Sequence, residues 1–394
     1  MLNTPFSPWP SYTQEECDAV SRMLASNRVN YWTGEECRRF EREFADWTGT
    51  KHAVALANGT VALELVLRAL GISEGDEVIV TARSFFASAS CIVAVGATPV
   101  FADVDRDSQN ITAATIRAQM TAKTRAVICV HLAGMPCDMG PIMELASQHG
   151  LKVIEDCAQA HGAEYRGKKV GSIGDIAAWS FCQDKIITTG GEGGMVTTSD
   201  DDLWSRTWSL KDHGKSWQAV YEREHPPGFR WLHESFGTNA RMLEFQAVIG
   251  RIQLQRMPEW HAKRVANASR LAFACSGHDV VRVPPVPADC EHAYYRFYAF
   301  VRPEKLASGW SRDRIVDEIN ARGVPCYHGA CPEIYREQAF AGPGFRQPGP
   351  LPVARELGET SIMWLVHPTL TEAEIDCSCR VLGEVLALAG SQPG

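Results

Sequence analysis

"WSFCQDKIITTGGEGG", residues 179–194, joins a hydrophobic run to a glycine-rich loop and carries a single lysine, Lys185. The hydrophobic run is too short for a typical helix and predicts a buried strand. Lys185 is either an ordinary solvated charge or a nucleophile held in a pocket. Because Trp179 and Phe181 precede it and glycines follow it, we expect the pocket. Burial lowers the pKa of an amine, and the neutral amine can form a Schiff base.

Six short β-rich runs, with helical patterns between several of them, predict the architecture. The runs are residues 76–82, 97–105, 125–134, 151–158, 175–182 and 193–200. Strands that alternate with helices and are apolar on both faces are typical of a mainly parallel sheet covered by helices. The predicted fold class is therefore α/β. Ligands of such sheets bind beyond the carboxyl ends of the strands, which selects residues 84–86, 156–159 and 180–185.

The pattern changes after about residue 240, where a long helix-period segment containing Pro258 leads into a smaller α/β region. We therefore assign residues 1–250 to a large domain and residues 251–394 to a smaller C-terminal α/β domain. Residues 214–238 are rich in Trp, His and Pro and have no clear period. They predict a long ordered loop, and such loops are often functional.

The composition is that of an ordinary globular protein: 394 residues, 45% hydrophobic and 22% charged. The net charge of -8 and the lack of a basic stripe argue against a nucleic-acid partner. The 13 cysteines contain no Cys-x-x-Cys motif and predict free thiols in a reducing cytoplasm. No signal-peptide pattern begins the chain, and no apolar stretch reaches the roughly 18 residues of a membrane span. We expect a cytoplasmic protein without a membrane partner.

Cys326, His328 and Cys331 lie close together in sequence and resemble a set of metal ligands. No second pair of ligands follows them at a suitable interval, so a loop that happens to contain two thiols is the better interpretation. The sequence therefore predicts no metal site.

Asp156 lies at the end of a predicted apolar strand, where a buried carboxylate needs a partner. One interpretation is a helix N-cap. The other is an ion pair with a protonated pyridine nitrogen, which keeps a cofactor ring positively charged and makes it an electron sink. Gln159 can donate to a ring oxygen, and Phe85 can stack on a planar cofactor. A surface position for Gln159 and a core position for Phe85 are the alternatives.

A helical pattern at residues 60–71 begins with Thr60 and is directly preceded by Asn58 and Gly59. The free N–H groups and the dipole at a helix N-terminus form a phosphate site. Asn-Gly-Thr is also a common capping sequence, so the motif alone leaves both interpretations open. Ser180, near the end of its strand, can add a hydroxyl to the same phosphate.

These motifs together, in this order over nearly the whole chain, resemble the pyridoxal-phosphate sugar aminotransferases of the DegT/StrS type. The matching motifs are Asn58-Gly59-Thr60, Ser84-Phe85, Glu155-Asp156-Cys157-Ala158-Gln159-Ala160-His161-Gly162, Ser180-Phe181, Lys185, Gly191-Glu192-Gly193-Gly194 and Gly237-Thr238-Asn239-Ala240-Arg241. The resemblance implies pyridoxal 5'-phosphate as cofactor and an aspartate-aminotransferase-like fold, with a large, mainly parallel seven-stranded sheet. It also implies a homodimer with active sites shared across the interface.

The resemblance also implies a role for each matched position. The positions are Lys185 for the Schiff base, Asp156 for the pyridine nitrogen, Gln159 for the phenolic oxygen, Gly59, Thr60 and Ser180 for the phosphate, Phe85 for ring stacking and Asn239 for the phosphate in the partner subunit. The chain departs from the family at Thr81, where Pro is frequent, and the residues 182–184 before the lysine vary among members. A branch that performs dehydration has histidine in place of the lysine, so Lys185 favours transamination.

The implied reaction transfers an amino group from L-glutamate to a keto sugar attached to a nucleotide. We expect a UDP-linked 4-keto-6-deoxy-N-acetylhexosamine first and dTDP or GDP sugars next, with amination at C3 or C4 left open. The product would enter polysaccharide, glycan or antibiotic-sugar biosynthesis. Candidate substrate contacts are Lys211, His213, Lys215, Arg230 and Arg241 for the diphosphate, Trp217 and Trp231 for stacking, and Tyr327 and His328. For each charged candidate, a solvated surface position is the alternative.

Three other functions fit parts of the pattern. A catalytically silent regulatory or sensor protein would share the cofactor site, but the intact Lys185 and Asp156 argue against it. Another pyridoxal enzyme of the same fold is a further alternative: a desulfurase or an amino-acid lyase would share Lys185, whereas a dehydratase of this family would have histidine there. The Gly-Thr-Asn-Ala-Arg segment and the Gly-Gly-Glu-Gly-Gly loop favour the sugar enzyme. A nicotinamide dehydrogenase would share the sheet, but no Gly-x-Gly-x-x-Gly follows the first strand.

Overall fold

The computed structural model describes residues 5–342, 345 and 349–390. Its strands are β1 (His52–Leu56), β2 (Glu77–Thr81), β3 (Thr98–Ala102), β4 (Thr124–Val130), β5 (Lys152–Asp156), β6 (Glu164–Tyr165), β7 (Lys168–Lys169), β8 (Ile176–Ser180), β9 (Gly194–Thr198), β10 (Val281–Arg282), β11 (Cys290–Glu291), β12 (Phe297–Val301), β13 (Cys326–Tyr327) and β14 (Ser361–Trp364). Its α-helices are α1 (Gln14–Ala25), α2 (Glu36–Thr48), α3 (Gly59–Ala69), α4 (Ala87–Ala94), α5 (Ala113–Arg117), α6 (Met139–His149), α7 (Asp201–Lys211), α8 (Glu244–Ser276), α9 (Arg312–Ala321), α10 (Pro352–Thr360) and α11 (Glu372–Ala389).

A seven-stranded sheet organises the first part of the chain, with the order β1-β9-β8-β5-β4-β2-β3. Strands β8, β5, β4, β2 and β3 run parallel, whereas β9 is antiparallel to both of its neighbours. The predicted α/β fold with a large, mainly parallel sheet is confirmed. The sequence analysis missed β1, because its five residues lead directly into the capping sequence of α3.

Both faces of this sheet are buried, which explains why its strands are nearly continuous in apolar residues. On one face, strand residues such as Val80 and Ile128 belong to the same core cluster as Leu63 of α3. On the other face, Trp179 of β8 packs with Phe44 of α2. Each large apolar side chain buried in this way stabilises the fold by about 1.5–3 kcal/mol.

A second, antiparallel sheet of order β10-β12-β14-β13 lies in the C-terminal part of the chain. Its core cluster includes residues of α8, α9 and α11. Helix α8 continues through Pro258 and spans the predicted domain boundary at residues 250 and 251, so the two assigned parts share this helix. Among the described residues, no helix combines the length and the apolar character that crossing a bilayer requires.

A buried carboxylate next to Asp156 fixes the end of β5. Glu155 accepts hydrogen bonds from His131 Nε2 at 3.0 Å and from three backbone N–H groups at 2.7–2.8 Å. The Cys137 N–H donates to Nδ1 of His131, which leaves the proton on Nε2. Burial alone would raise the pKa of Glu155, but His131 and the N–H groups lower it below the ordinary value. The three backbone donors are Gly171, Ile173 and Gly174.

His131, Glu155 and Cys157 also form a buried group whose potential ligand atoms lie within 4.8 Å of one another. Burial raises the pKa of the Cys157 thiol well above its ordinary value, so that the thiol stays protonated. The His131 ring already hydrogen-bonds Glu155 and the Cys137 N–H. These contacts give the group a structural role.

We expect Glu155→Gln to lower the free energy of unfolding by about 1–3 kcal/mol, because an amide cannot replace the carboxylate toward four donors. Since the pKa of Glu155 is lowered in the folded state, the stabilisation is present above the ordinary pKa of 4.5 and is lost as the pH falls through the folded value. Urea unfolding at neutral and acidic pH checks this. A difference between the two proteins that grows on acidification would contradict it.

Candidate active site

The carboxyl ends of β5 and β8 bring the predicted catalytic residues to one edge of the sheet. These strands are parallel neighbours, and Asp156 pairs with Ala178 two residues before Ser180. Lys185 follows in the loop beyond β8. The Lys185 charge lowers the pKa of Asp156, as expected for two groups that share one site.

Asp156 is buried and has two partners within the chain. Ser88 Oγ donates to Oδ2 at 2.9 Å, and the Ala158 N–H donates to Oδ1 at 3.2 Å. Burial raises the pKa of Asp156 above its ordinary value, and these contacts together with Lys185 offset only part of that effect. A protonated ring nitrogen would supply the missing opposite charge directly.

Lys185 is held in a pocket, with only 16% of its side chain exposed. Its Nζ lies 3.5 Å from Asp184 Oδ1 and 5.1 Å from the centroid of the Tyr295 ring. Burial lowers the pKa of Lys185, but Tyr295 and Asp184 raise it by more, so the net pKa is raised. The expectation of a lowered pKa was therefore wrong, because the sequence does not reveal that Asp184 and the distant Tyr295 both lie beside the amine.

A candidate phosphate cradle lies where α3 begins beside the end of β8. Asn58 caps the helix by accepting the Val61 N–H at 2.9 Å. Gly59 and Thr60 occupy the first two helical positions, so their N–H groups have no acceptor within the helix. A Cβ on Gly59 would lie 2.6 Å from Ser180 Cβ. Only glycine therefore lets the helix N-terminus approach the Ser180 hydroxyl this closely.

We expect Gly59→Ala to weaken pyridoxal 5'-phosphate binding, because the added methyl group forces the cradle apart. Overpacking of this kind costs about 1–3 kcal/mol, and the loss falls on the geometry of the phosphate site. Cofactor titration followed by absorbance measures the effect. Gly277→Ala is the matched control, because a Cβ there meets no atom within 4 Å and the backbone has a negative φ. Equal cofactor affinity in Gly59→Ala and the wild type would contradict the assignment.

Three further predicted cofactor residues lie in positions compatible with their roles. Gln159 Oε1 accepts the Ala133 N–H at 2.8 Å, which leaves its amide NH₂ for a ring oxygen. Phe85 follows β2 and is 67% exposed, so one ring face is uncovered. Asn239 is exposed as well, as its predicted reach into a second subunit requires. These roles stay predictions.

Of two further predicted substrate contacts, Lys211 is buried in the core and Trp217 is partly buried. Lys211 is fully buried, with its Nζ 3.4 Å from the Tyr31 ring centroid, and burial lowers the pKa of Lys211 to about 8. The ring of Trp217 packs against Trp208 and Tyr221 at centroid distances of 5.2 and 4.4 Å. The prediction for Lys211 is corrected, because local sequence shows a charge but not the direction in which the side chain points. The stacking role of Trp217 stays a prediction.

The remaining substrate candidates are at least partly exposed. Arg241 Nη1 lies 2.7 Å from Asp212 Oδ1, and Lys215 Nζ lies 3.2 Å from the same atom. His213, Arg230 and Trp231 are exposed.

Tyr327 and His328 belong to a segment that reaches the cofactor edge of the sheet. Tyr327 is half-buried in β13, and His328 is exposed. A backbone bridge between Ser84 and Cys331 brings this segment to the edge beside Phe85.

The sequence analysis missed residues that support Lys185 from distant parts of the chain. Trp9 Nε1–H donates to the Lys185 carbonyl oxygen at 2.9 Å, and the Arg264 guanidinium lies 5.1 Å from the Trp9 ring centroid. Tyr295 and Arg296 contact Asp184. No local sequence motif predicts these contacts, because each depends on packing between segments more than 100 residues apart.

Comparison with known proteins agrees with this geometry. The sequence pattern that defines the DegT/DnrJ/EryC1/StrS aminotransferase family matches residues 10–382. The chain belongs to this aminotransferase family. It is 40% identical to GDP-perosamine synthase of Caulobacter vibrioides over 88% of this chain and 89% of that protein. It is 38% identical to UDP-N-acetyl-3-dehydro-alpha-D-glucosamine 3-aminotransferase of Acidithiobacillus ferrooxidans, over 91% and 90% of the two chains.

A solved structure extends the comparison to three dimensions. The aminotransferase from Psychrobacter cryohalolentis superposes with a TM-score of 0.95 at 60% identity, over 97% of this chain and 99% of that one. Aminotransferases of this family depend on pyridoxal 5'-phosphate. The cradle at Gly59 and the buried carboxylate of Asp156 fit the phosphate and the ring nitrogen of that cofactor. The predicted family and cofactor are confirmed.

Proposed function

We propose that this aminotransferase transfers the amino group of L-glutamate to a keto sugar linked to a nucleoside diphosphate. The observation that carries the proposal is the shared edge of β5 and β8, where Asp156, Ser180 and Lys185 meet the glycine cradle of α3. Relatives whose names specify GDP- and UDP-linked sugars support the nucleotide sugar. A UDP-linked 4-keto-6-deoxy-N-acetylhexosamine is the first substrate to test.

Bound pyridoxal 5'-phosphate supplies the electron sink that makes the substrate carbon acidic. Lys185 would hold the cofactor covalently, and its free amine would move a proton at Nζ as general base and acid. Asp156 keeps the ring nitrogen charged. Ser180 and the first N–H groups of α3 bind the phosphate, and the buried setting of Lys185 limits water beside the reacting atoms.

We propose further that two copies of the chain share their active sites. Asn239 is exposed directly after segment 214–238, and three aromatic side chains of that segment are exposed by three quarters or more. They are Phe229, Trp231 and Phe236, with exposed fractions of 75%, 81% and 99%. A second subunit would cover such a surface and bring Asn239 to the neighbouring phosphate. Mixing Asn239→Ala with Lys185→Ala protein tests the sharing, since only shared sites give a mixed dimer with one intact site.

The substrate proposal is tested with a panel of 4-keto and 3-keto sugars linked to UDP, GDP or dTDP. Each is incubated with L-glutamate, and 2-oxoglutarate release is measured together with the mass of the sugar product. We expect one nucleotide sugar to be aminated much faster than the others. Bleaching of the visible cofactor band by glutamate reports the first half-reaction separately. Bleaching without amination of any panel member would contradict the nucleotide-sugar proposal while leaving the aminotransferase assignment in place.

A further inference from the structure

Asp184, directly before Lys185, has no part in the reaction described above. Its Oδ1 lies 3.5 Å from Lys185 Nζ. Its Oδ2 accepts a hydrogen bond from the Tyr295 hydroxyl and lies 3.5 Å from Arg296 Nη2. One carboxylate thus contacts the catalytic amine with one oxygen and two buried side chains with the other.

The two side chains that hold Asp184 are themselves fixed. Tyr295 and Arg296 directly precede β12, and both are buried. The Tyr295 N–H donates to the Ala133 carbonyl at 2.9 Å, and the Arg296 guanidinium lies 4.1 Å from the Tyr295 ring centroid. The Ala133 N–H in turn donates to Gln159. The carboxylate is therefore oriented by groups that are connected to the cofactor edge of the sheet.

The charges at this position are complementary. Burial raises the pKa of Asp184, but Lys185, Tyr295 and Arg296 lower it by more, so the carboxyl stays ionised at neutral pH. The titratable groups around the Lys185 amine come from three parts of the chain. They are Cys182 and Asp184 from its own loop, Asp156 at the end of β5 with His161 just after it, and Tyr295 and Arg296 from the segment before β12. Of the two carboxylates, Asp156 is assigned to the ring nitrogen, which leaves Asp184 for the amine.

We propose that Asp184 is a positioning residue for proton transfer by Lys185: its carboxylate, held by Tyr295 and Arg296, pairs with the Lys185 ammonium whenever that amine is not bonded to the cofactor. When the neutral amine takes a proton from the substrate carbon, its charge rises by one. Asp184 stays ionised and exchanges no proton. The same proton then leaves Nζ for the receiving carbon, so the step is balanced without another reactant.

The proposal predicts the pH dependence of cofactor capture. Only the neutral Lys185 amine attacks the cofactor aldehyde, so an anion beside it shifts capture to higher pH. In Asp184→Asn, we expect the midpoint of capture rate against pH to fall by about one unit or more, which is roughly a tenfold faster capture below the midpoint. The measurement mixes apoprotein with pyridoxal 5'-phosphate and follows the visible band in a stopped-flow instrument. Borohydride trapping and peptide mass spectrometry confirm attachment at position 185.

Three variants complete the test. Asp184→Glu keeps the charge and should keep the midpoint near that of the wild type. Asp376→Asn removes an exposed carboxylate on α11 and should change nothing. Tyr295→Phe removes only the hydroxyl, so Asp184 is held less firmly, and the midpoint should fall by less than in Asp184→Asn.

An unchanged midpoint in Asp184→Asn would overturn the proposal. If that variant does not fold, an unchanged midpoint in Tyr295→Phe would overturn it. The inference rests on the proposed function only for the role of Lys185. Because capture involves no sugar, a failed substrate panel and a failed capture experiment are distinguishable.

Discussion

Lys185→Ala protein is expected to fold normally and to lose turnover by roughly 10⁴-fold or more. The variant lacks both the covalent attachment and the general base, and general acid–base catalysis alone contributes about 10²–10⁴-fold. Asp184 loses only its contact with the amine. The hydrogen bond from Trp9 is kept, because it goes to the main-chain carbonyl of residue 185. Release of 2-oxoglutarate measures turnover, and circular dichroism with thermal unfolding checks the fold.

Lys263→Ala is the matched control for this prediction. Lys263 lies exposed on α8 and pairs with Glu259 one turn away, so its loss should leave turnover near the wild-type rate. Borohydride treatment followed by peptide mapping locates the attached cofactor. Wild-type turnover in Lys185→Ala, or attachment at another lysine, would show that the role assigned to Lys185 is wrong.

The second large effect is expected for Asp156→Asn. The amide keeps the shape of the side chain and can still accept from Ser88, but it cannot pair with a cationic ring nitrogen. Breaking a buried ion pair costs about 3–5 kcal/mol. That corresponds to roughly 10²–10⁴-fold in rate. We expect the loss in kcat rather than in the KM for the keto sugar, because Asp156 acts through the cofactor ring.

Asp201→Asn is the control for Asp156. Its carboxylate is exposed and pairs with Lys51 and His52 at the end of β1 opposite to the one that leads into Gly59, so turnover should be unaffected. A second readout is the cofactor itself: Asp156→Asn should change the visible spectrum and its pH dependence, whereas Asp201→Asn should not. A variant with normal kcat and a normal spectrum would remove Asp156 from its assigned position.

Much of this site was predictable because its parts are local. A strand that ends in Asp156, a capped helix that begins at Gly59 and a lysine between a strand and a glycine loop are each read from adjacent residues. The parallel sheet then brings them together, since the carboxyl ends of parallel strands meet at one edge. The family resemblance named their roles, and the comparisons confirmed the family and the cofactor.

Side-chain direction was less predictable. Lys211 stands in a polar and aromatic stretch that suggests ligand contacts, yet at the end of α7 its side chain is fully buried against Tyr31. The lowered pKa expected for Lys185 failed for a related reason. Desolvation is inferred from apolar neighbours in sequence, whereas the effect that raises the pKa of Lys185 comes partly from Tyr295, which is 110 residues away along the chain.

The sequence by itself determined the alternation of strands and helices, the order of the cofactor motifs and the identity of Lys185 and Asp156. Only the tertiary structure decided which groups surround the amine: Trp9 reaches its carbonyl across 176 residues, and Tyr295 reaches Asp184 across 111. Hydrophobic periodicity and capping act over a few residues, so they leave a trace in the sequence. Contacts between distant segments depend on how whole helices and strands pack, so a short stretch of sequence does not predict them.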